Sequence, residues 1–241
     1  MEHFRIYDTI DSTNREAARL LASGENLHGT AVMAHHQTDG RGQYGRSWHS
    51  SPGNHLAMSV ILQPKSLLLG DLPLLSMKSS LAVVRTLKII ESNLSPAIKW
   101  PNDIYINDLK LAGILIENSI SASKVHHSII GVGMNINEKS FPKDIPNAVS
   151  LFMLSGKEYN ILLIADQLRT QLLFTVDEPL EKWKPEYDQL IYGFGKQHEF
   201  ELDAKKVKAN ILGVDANGKI RLDFGHYTIN TFYSHEIKWL K

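Results

Sequence analysis

The sequence predicts an α+β fold: a mixed, largely antiparallel sheet flanked by helices, followed by a small all-β module. Three observations carry this. Apolar runs of strand length, separated by turn residues, cluster between residues 98 and 136 in the manner of an antiparallel meander. Two long segments repeat their apolar residues at helical spacing. Beyond residue 191 the helical period disappears and short strand-like runs replace it.

The elements follow in chain order. Residues 12–23 read as a helix: Thr13 and Glu16 have capping-box spacing, Ala17, Leu20 and Leu21 share a face, and Gly24 supplies a stop. Thr30–His35 reads as a strand. Residues 35–55, HHQTDGRGQYGRSWHSSPGNH, keep no period and are a loop. Leu56–Leu62 is a buried-type strand. Pro73 opens a long helix with Leu74, Met77, Leu81, Val84, Leu87 and Ile90 along one stripe. Ile98–Trp100 and Ile104–Ile106 flank Pro101, the Asn107-Asp108 turn leads into Leu111–Glu117, and His127–Ile136 completes the meander. Asn160–Val176 is a second amphipathic helix. Glu199–Leu202, Val207–Leu212, Lys219–Phe224 and Tyr227–Phe232 form the β-rich tail, with Asn217-Gly218 as a hairpin signal. A division between 1–191 and 192–241 is expected, with the junction near Ile191–Gly195. No internal repeat or low-complexity tract interrupts the chain.

Composition narrows the class. Lysine plus arginine and aspartate plus glutamate balance at 26 each over 241 residues, which argues against non-specific nucleic-acid binding. The absence of cysteine removes disulfides, thiol nucleophiles and cysteine zinc sites, and fits a reducing compartment. The polar start MEHFRIYDTIDSTN holds no signal-peptide core, and apolar runs such as Ile161–Ala165 are too short to span a bilayer. The expectation is a cytoplasmic enzyme or binding protein, with no nucleic-acid or membrane partner.

The sharpest motif is Gly40–Trp48, GRGQYGRSW. Gly40, Gly42 and Gly45 permit close approach of backbone to a ligand, Arg41 and Arg46 supply forked donors for carboxylate or phosphate, and Trp48 offers a face for stacking. A GRG alone fits a solvated turn equally well; the combination does not. In KWPND, Lys99–Asp103, Pro101 stiffens the chain while Asn102 and Asp103 present an amide and a carboxylate at a strand edge, though an Asn-Asp turn after proline is common. Lys110 opens the apolar strand KLAGILIE, as a placed cation or a solvent-facing end, and Gly113 within it implies close approach to the backbone. In GVGMNIN, Gly131–Asn137, Asn135 either faces a ligand or sits in a buried, bulged strand. Eleven histidines, including His35-His36 and His126-His127, show no HExxH spacing, so no zinc site is read. There is no P-loop, no GxGxxG fingerprint, and no GxSxG elbow around Ser47, Ser50 and Ser51.

Taken in order, DSTN (11–14), GRGQYGRSW (40–48), KWPNDIY (99–105), KLAGILIE (110–117) and GVGMNIN (131–137) resemble the biotin–protein ligase family. The likeness covers residues 5 to about 140 closely and the tail more loosely. It implies a catalytic domain over 1–191 akin to class II aminoacyl-tRNA synthetases and a C-terminal SH3-like β-barrel over 192–241. It implies that Ser12, Thr13, Asn14 and Gln37 contact biotin, that Arg41 grips the biotin carboxylate and the phosphate, and that Arg46 and Trp48 lie on the nucleotide side. Lys110 matches the essential lysine at the reacting carboxyl. Asn102, Asp103 and Asn135 match residues lining the adenylate; Lys99, Gly40, Gly42, Gln43 and Gly113 complete the expected binding set, with Lys110, Arg41 and Asp103 catalytic. Many members carry arginine where this chain has Gln43, which removes a charge from the group that retains the adenylate. DSTN begins at residue 11, so the helix-turn-helix domain of repressor-type members is not expected here.

The resemblance implies ATP-dependent activation of biotin to biotinyl-5'-AMP, with Mg2+ screening the phosphates, then transfer to a lysine of a biotin carboxyl carrier protein of the acetyl-CoA carboxylase type. Asp103 is expected to orient the incoming amine, and a homodimer is left open. Lipoate or octanoate ligases share the fold, but their paired arginines and GGG run are absent here. A non-enzymatic biotin- or nucleotide-responsive protein would need the pocket without Lys110.

Overall fold

Residues His55–Leu62 are buried along their whole length, as a central strand covered on both faces must be. In the computed structural model this strand, β3, lies inside a seven-stranded sheet, third from one edge. The structure describes residues 2–49, 51–63, 67–121, 124–225 and 228–240; Ser50 and Tyr227 of the readings above lie outside them. The other strands are β1 (Phe4–Ile10), β2 (Ala31–Gln37), β4 (Ala97–Lys99), β5 (Asp103–Ile106), β6 (Leu109–Ser121) and β7 (Lys124–Asn135), in the order β1-β2-β3-β7-β6-β5-β4. Among the described residues, β1 and β2 are the one pair of neighbouring strands in this sheet that runs parallel. The remaining neighbours are antiparallel, so the sheet is mixed and largely antiparallel, as the sequence predicts. Asn107 and Asp108 turn between β5 and β6 with positive φ at both positions, the backbone that a two-residue hairpin turn of the right twist requires.

Helices cover both faces. On one, α2 (Leu72–Ile90) and α4 (Ile161–Asp177) pack over Leu56, Met58, Val60 and Leu62 of β3 in the main core. On the other, α1 (Thr13–Leu21) sets Ala17 against Val32, Ile61 and Ile129. The Thr13–Glu16 pair is not a capping box. Ser12 is the N-cap, without a side-chain cap bond, while Glu16 accepts from Tyr7 and Arg19. Asn160 caps α4 by accepting from the backbone of Leu162 and Leu163. Two short helices escape the sequence pattern, α3 (Leu151–Ser155) and α5 (Leu180–Gln189). Charged residues and Pro185 break up the apolar period of α5, yet its Trp183 and Tyr187 are fully buried, and Arg85 of α2 ties it down by donating to Glu186 (3.0 Å).

The tail forms a second, five-stranded sheet: β8 (Gln197–Leu202), β9 (Lys205–Val214), β10 (Ile220–Asp223), β11 (Ile229–Phe232) and β12 (Ile237–Trp239), ordered β11-β10-β9-β8-β12 and antiparallel. The implied barrel is not closed: among the described residues β11 and β12 do not pair. β12 is only 3 residues long, and its pairing is with β8. This sheet docks on the larger one through two indoles. Trp239 Nε1 donates to the Trp100 carbonyl (3.1 Å), and Trp100 Nε1 donates to the Gly218 carbonyl in the Asn217-Gly218 turn (2.9 Å). Among the described residues no helix is long and apolar enough to cross a membrane.

Candidate active site

Strand register explains where the site lies. Ala57 pairs with Gly133, Gly133 with Gly113, Gly113 with Asp103, and Asp103 with Lys99, so one row of residues runs across β3, β7, β6, β5 and β4. Paired residues share a face. The two glycines at the centre of this row form a low floor, with a carboxylate and a cation at its end. A cleft of about 680 Å3 opens above it.

The floor is low because something rests on it. A Cβ built on Gly133 would fall 2.7 Å from Trp48 Nε1, and one on Gly113 would fall 3.0 Å from Trp48 Cζ3. The sequence reading of close approach at Gly113 is therefore correct, and the approaching group is the chain's own indole. Trp48 is brought there by a tight hairpin: Trp48 N–H donates to the Gly40 carbonyl (2.9 Å), Gly42 N–H to the Arg46 carbonyl (2.7 Å), and Arg41 bridges Ser47. Gln43, Tyr44 and Gly45 form the tip, with Tyr44 in the left-handed region. Gly40 is buried behind the hairpin and does not line the cleft; a Cβ there would press on the Trp48 carbonyl at 2.8 Å.

Lys110, at the start of β6, reaches over the floor. Its Nζ is 2.7 Å from Asp103 Oδ1 and 5.4 Å from the centroid of the Trp48 ring. Asp103 is thus ion-paired with Lys110. Asn102 donates through Nδ2 to the Ile114 carbonyl (2.8 Å), which fixes the turn after Pro101. Tyr105, beside this pair, has its hydroxyl pushed up to about 12 by burial, with the Asp103 carboxylate adding to it.

On the α1 side the groups interlock. Thr13 N–H donates to Gln37 Oε1 (2.8 Å). Ser59 Oγ donates to Asn14 Oδ1 (2.6 Å) and lies 2.7 Å from Thr13 Oγ1, whose own proton goes to Gln37 Oε1 (3.2 Å). Asn14 Nδ2 donates to Glu117 Oε2 (2.7 Å), and Glu117 Oε1 stands 3.6 Å from Arg41 Nη1. Ser12, Thr13 and Asn14 are all buried. The Asn14 side chain sits where a Cβ on Gly131 would be, which accounts for glycine there.

Of the residues singled out from the sequence, Ser12, Thr13, Asn14, Gln37, Arg41, Gly42, Gln43, Arg46, Trp48, Lys99, Asn102, Asp103, Lys110 and Gly113 line one cleft. Asn135 does not. It is 4% exposed, and its amide donates to the Val149 carbonyl (3.1 Å). The segment from Asn147 to Val149 pairs with the Lys110 backbone and covers Asn135. Asn135 therefore supports the strand that carries Lys110 and does not face a ligand. Among the described residues no group of three or more His, Asp or Glu side chains converges as a metal cage.

Comparison with known proteins fits this geometry. The sequence model of the Biotin/lipoate A/B protein ligase family matches residues 6–135, which span the whole row from β3 to β4 and all of α1. The chain belongs to that family. A Bifunctional ligase/repressor BirA of Bacillus spizizenii is 39% identical over 156 residues, 64% of this chain and 47% of that protein. The chain thus spans about half the length of the Bacillus relatives it matches. A Biotin--[acetyl-CoA-carboxylase] ligase of Mycobacterium tuberculosis is 28% identical over 229 residues, covering 90% of this chain and 82% of that one. The biotin protein ligase from Aquifex aeolicus, solved in complex with biotin and ATP, superimposes with a TM-score of 0.81 at 24% identity over 99% of this chain and 98% of that one. That likeness establishes the fold across both sheets.

Within this family member, the sequence reading missed a network behind the cleft and one of its walls. Ser59 and Glu117 complete the α1-side network from β3 and β6; Ser59 lies outside every motif quoted above, and Glu117 closes KLAGILIE without being singled out. The C-terminal sheet supplies another wall, including Glu201, Ser234, Lys238 and Trp239. Tyr44, at the tip of the glycine hairpin, meets this wall where its hydroxyl lies 2.7 Å from Ser234 Oγ.

Proposed function

We propose that this chain is an ATP-dependent biotin–protein ligase that forms biotinyl-5'-AMP and transfers the biotinyl group to a lysine of a biotin carboxyl carrier protein. The observation that carries this reading is Lys110 Nζ, ion-paired with Asp103 over the Gly113–Gly133 floor and beside the Trp48 ring. A cation fixed there meets the negative charge that builds when a carboxylate attacks a phosphate. In the first step a biotin carboxylate oxygen attacks the α-phosphorus of ATP and pyrophosphate leaves. In the second the carrier amine attacks the mixed anhydride carbonyl, giving an amide and AMP. Lys110 and Arg41 hold the reacting oxygens, Asp103 positions Lys110, and Trp48 with the 40–48 hairpin screens the anhydride from water. Arg46, Gln43, Asn102 and Lys99 lie on the nucleotide side.

Biotin is favoured over lipoate by the polar α1 end. With Gln37 Oε1 committed to Thr13, its Nε2 remains a donor, and the Ser12 hydroxyl makes no cap bond. A ureido ring supplies partners for both, whereas a dithiolane supplies none. Since no protein cage for a divalent ion converges among the described residues, magnesium enters as part of the nucleotide substrate. Residues 1–191 are read as the catalytic unit and 192–241 as a module that completes its wall. The absence of cysteine supports a cytoplasmic setting.

The test is transfer. Incubated with Mg·ATP, biotin and an apo carrier domain, the protein raises the carrier mass by one biotinyl group on a single lysine. A mass gain with lipoate but not biotin would replace this reading by a lipoate ligase.

A further inference from the structure

Lys99 is a cation without a carboxylate of its own. Among the described residues no Asp or Glu oxygen lies within the 4.0 Å of an ion pair, because the carboxylate directly opposite in register, Asp103, is engaged by Lys110. Three aromatic rings surround its ammonium instead. Their centroids lie 4.5 Å (Tyr105), 5.2 Å (Trp239) and 5.5 Å (Tyr192) from Nζ. The rings come from β5, from β12, and from the connector after α5. They also brace one another, with Tyr105–Tyr192 centroids at 5.5 Å and Tyr192–Trp239 at 5.9 Å.

The box is anchored at its rim. Trp239 Nε1 holds the carbonyl of Trp100, the residue next to Lys99, and Tyr192 donates its hydroxyl to Asp108 Oδ1 (2.7 Å). An aromatic face attracts an ammonium without using up its hydrogens in strong bonds. Lys99 and Trp239 both line the cleft, so the ammonium is held in place with its donors available to an anion there. Burial keeps it below the ordinary lysine range, opposed by the Asp103 carboxylate and reinforced by the Lys110 charge.

We propose that Trp239 is a positioning residue for the nucleotide: the last strand of the C-terminal sheet, with Tyr192, holds Lys99 as an unpaired cation aimed at the phosphates of ATP. This rests on the proposed function and adds to it a role for the second sheet, which sets the grip on one substrate and not the other. The biotin end, built from Thr13, Asn14, Gln37 and Ser59, touches none of these rings.

Biotin-dependent ATP–pyrophosphate exchange tests this on the full chain. Trp239→Ala raises the KM for ATP about tenfold and leaves the KM for biotin within about twofold, while Trp239→Phe, which keeps a ring, recovers most of the loss. Lys99→Met raises the KM for ATP to a similar extent, and adding Trp239→Ala to Lys99→Met changes it no further, because the indole acts through that ammonium. Tyr192→Leu removes a ring from the same box without touching β12 and gives the same pattern, which keeps the test decisive if the Trp239→Ala chain does not fold. Losses that fall equally on biotin and ATP, or that add in full to those of Lys99→Met, overturn the inference and leave the indole a packing residue. Exchange in the wild type with an unmoved KM for ATP in the variants overturns this inference alone. A wild type with no biotin-dependent exchange overturns it together with the proposed function.

Discussion

The α1 end of the cleft and the glycine hairpin face the same space with opposite construction. At the first, Thr13, Asn14, Gln37 and Ser59 are joined by short hydrogen bonds, and Ser12, Thr13, Asn14 and Ser59 are buried. At the second, Arg41 and Arg46 are exposed, Arg41 stands 3.6 Å from Glu117, and the backbone bonds of Gly42 and Trp48 join the two arms of the hairpin. Buried polar groups that satisfy one another resist rearrangement, because any break leaves a desolvated group without a partner. Exposed guanidinium groups bear no such penalty. Under the proposed function, the first end meets the neutral, hydrogen-bonding ring of biotin and the second meets an anion.

The largest effect is expected where the two constructions touch. Gly133→Ala places a methyl against the Trp48 indole, so hairpin and ligand must both shift. Catalytic efficiency in pyrophosphate exchange should fall about 100-fold, or about 2.7 kcal/mol, with a smaller loss of stability because the half-exposed indole can lift. Next, Asn14→Ala strands Ser59 and Glu117 and should cost about 1–3 kcal/mol of stability, seen in thermal unfolding as about 2–4 °C per kcal/mol. Arg46→Ala should stay within about 0.5 kcal/mol of wild type. Equal losses for Asn14→Ala and Arg46→Ala would erase the contrast between the two ends.

The smallest effect concerns the foot of the hairpin, where Ser51 N–H donates to Glu138 Oε1 (3.0 Å) and His55 Nδ1 lies 2.7 Å from the Ser51 carbonyl. Burial holds the His55 pKa below its usual 6.5, Glu138 opposing and His36 and His49 adding to the shift. The unfolded chain then binds the proton more readily, so stability falls as pH drops below about 6.5 and levels off below the folded-state pKa. His55→Asn retains a donor near Nδ1 and removes the titration. Its melting temperature should decline less between pH 7 and pH 5 than that of the wild type; an identical decline would remove His55 from this account.

Much of the fold and site is legible because its chemistry is local. Pro101, the Asn107-Asp108 turn and the strand glycines mark the meander, and Lys99, Asp103, Gly113 and Gly133 line up once its strands pair. What the sequence hides depends on distant segments. Asn135 looks available until the 147–149 stretch covers it. Ser59 and Glu117 act only because α1 lies over β3 and β6. β1 is a half-exposed edge strand without an apolar run, and β12 is too short to show a period. Gln43, in place of the expected arginine, sits half-buried at the hairpin tip and lines the cleft.

The central claim is that Lys110, set by Asp103 over the glycine floor, is the cation of the activation step. Biotin-dependent exchange of labelled pyrophosphate into ATP, measured for the wild type and for Lys110→Ala with folding checked by circular dichroism, tests it most directly. Robust exchange in the wild type and a loss of at least about 10²–10³-fold in a folded variant is the predicted result. Near-normal exchange in Lys110→Ala, or none in the wild type at any biotin concentration, would contradict it.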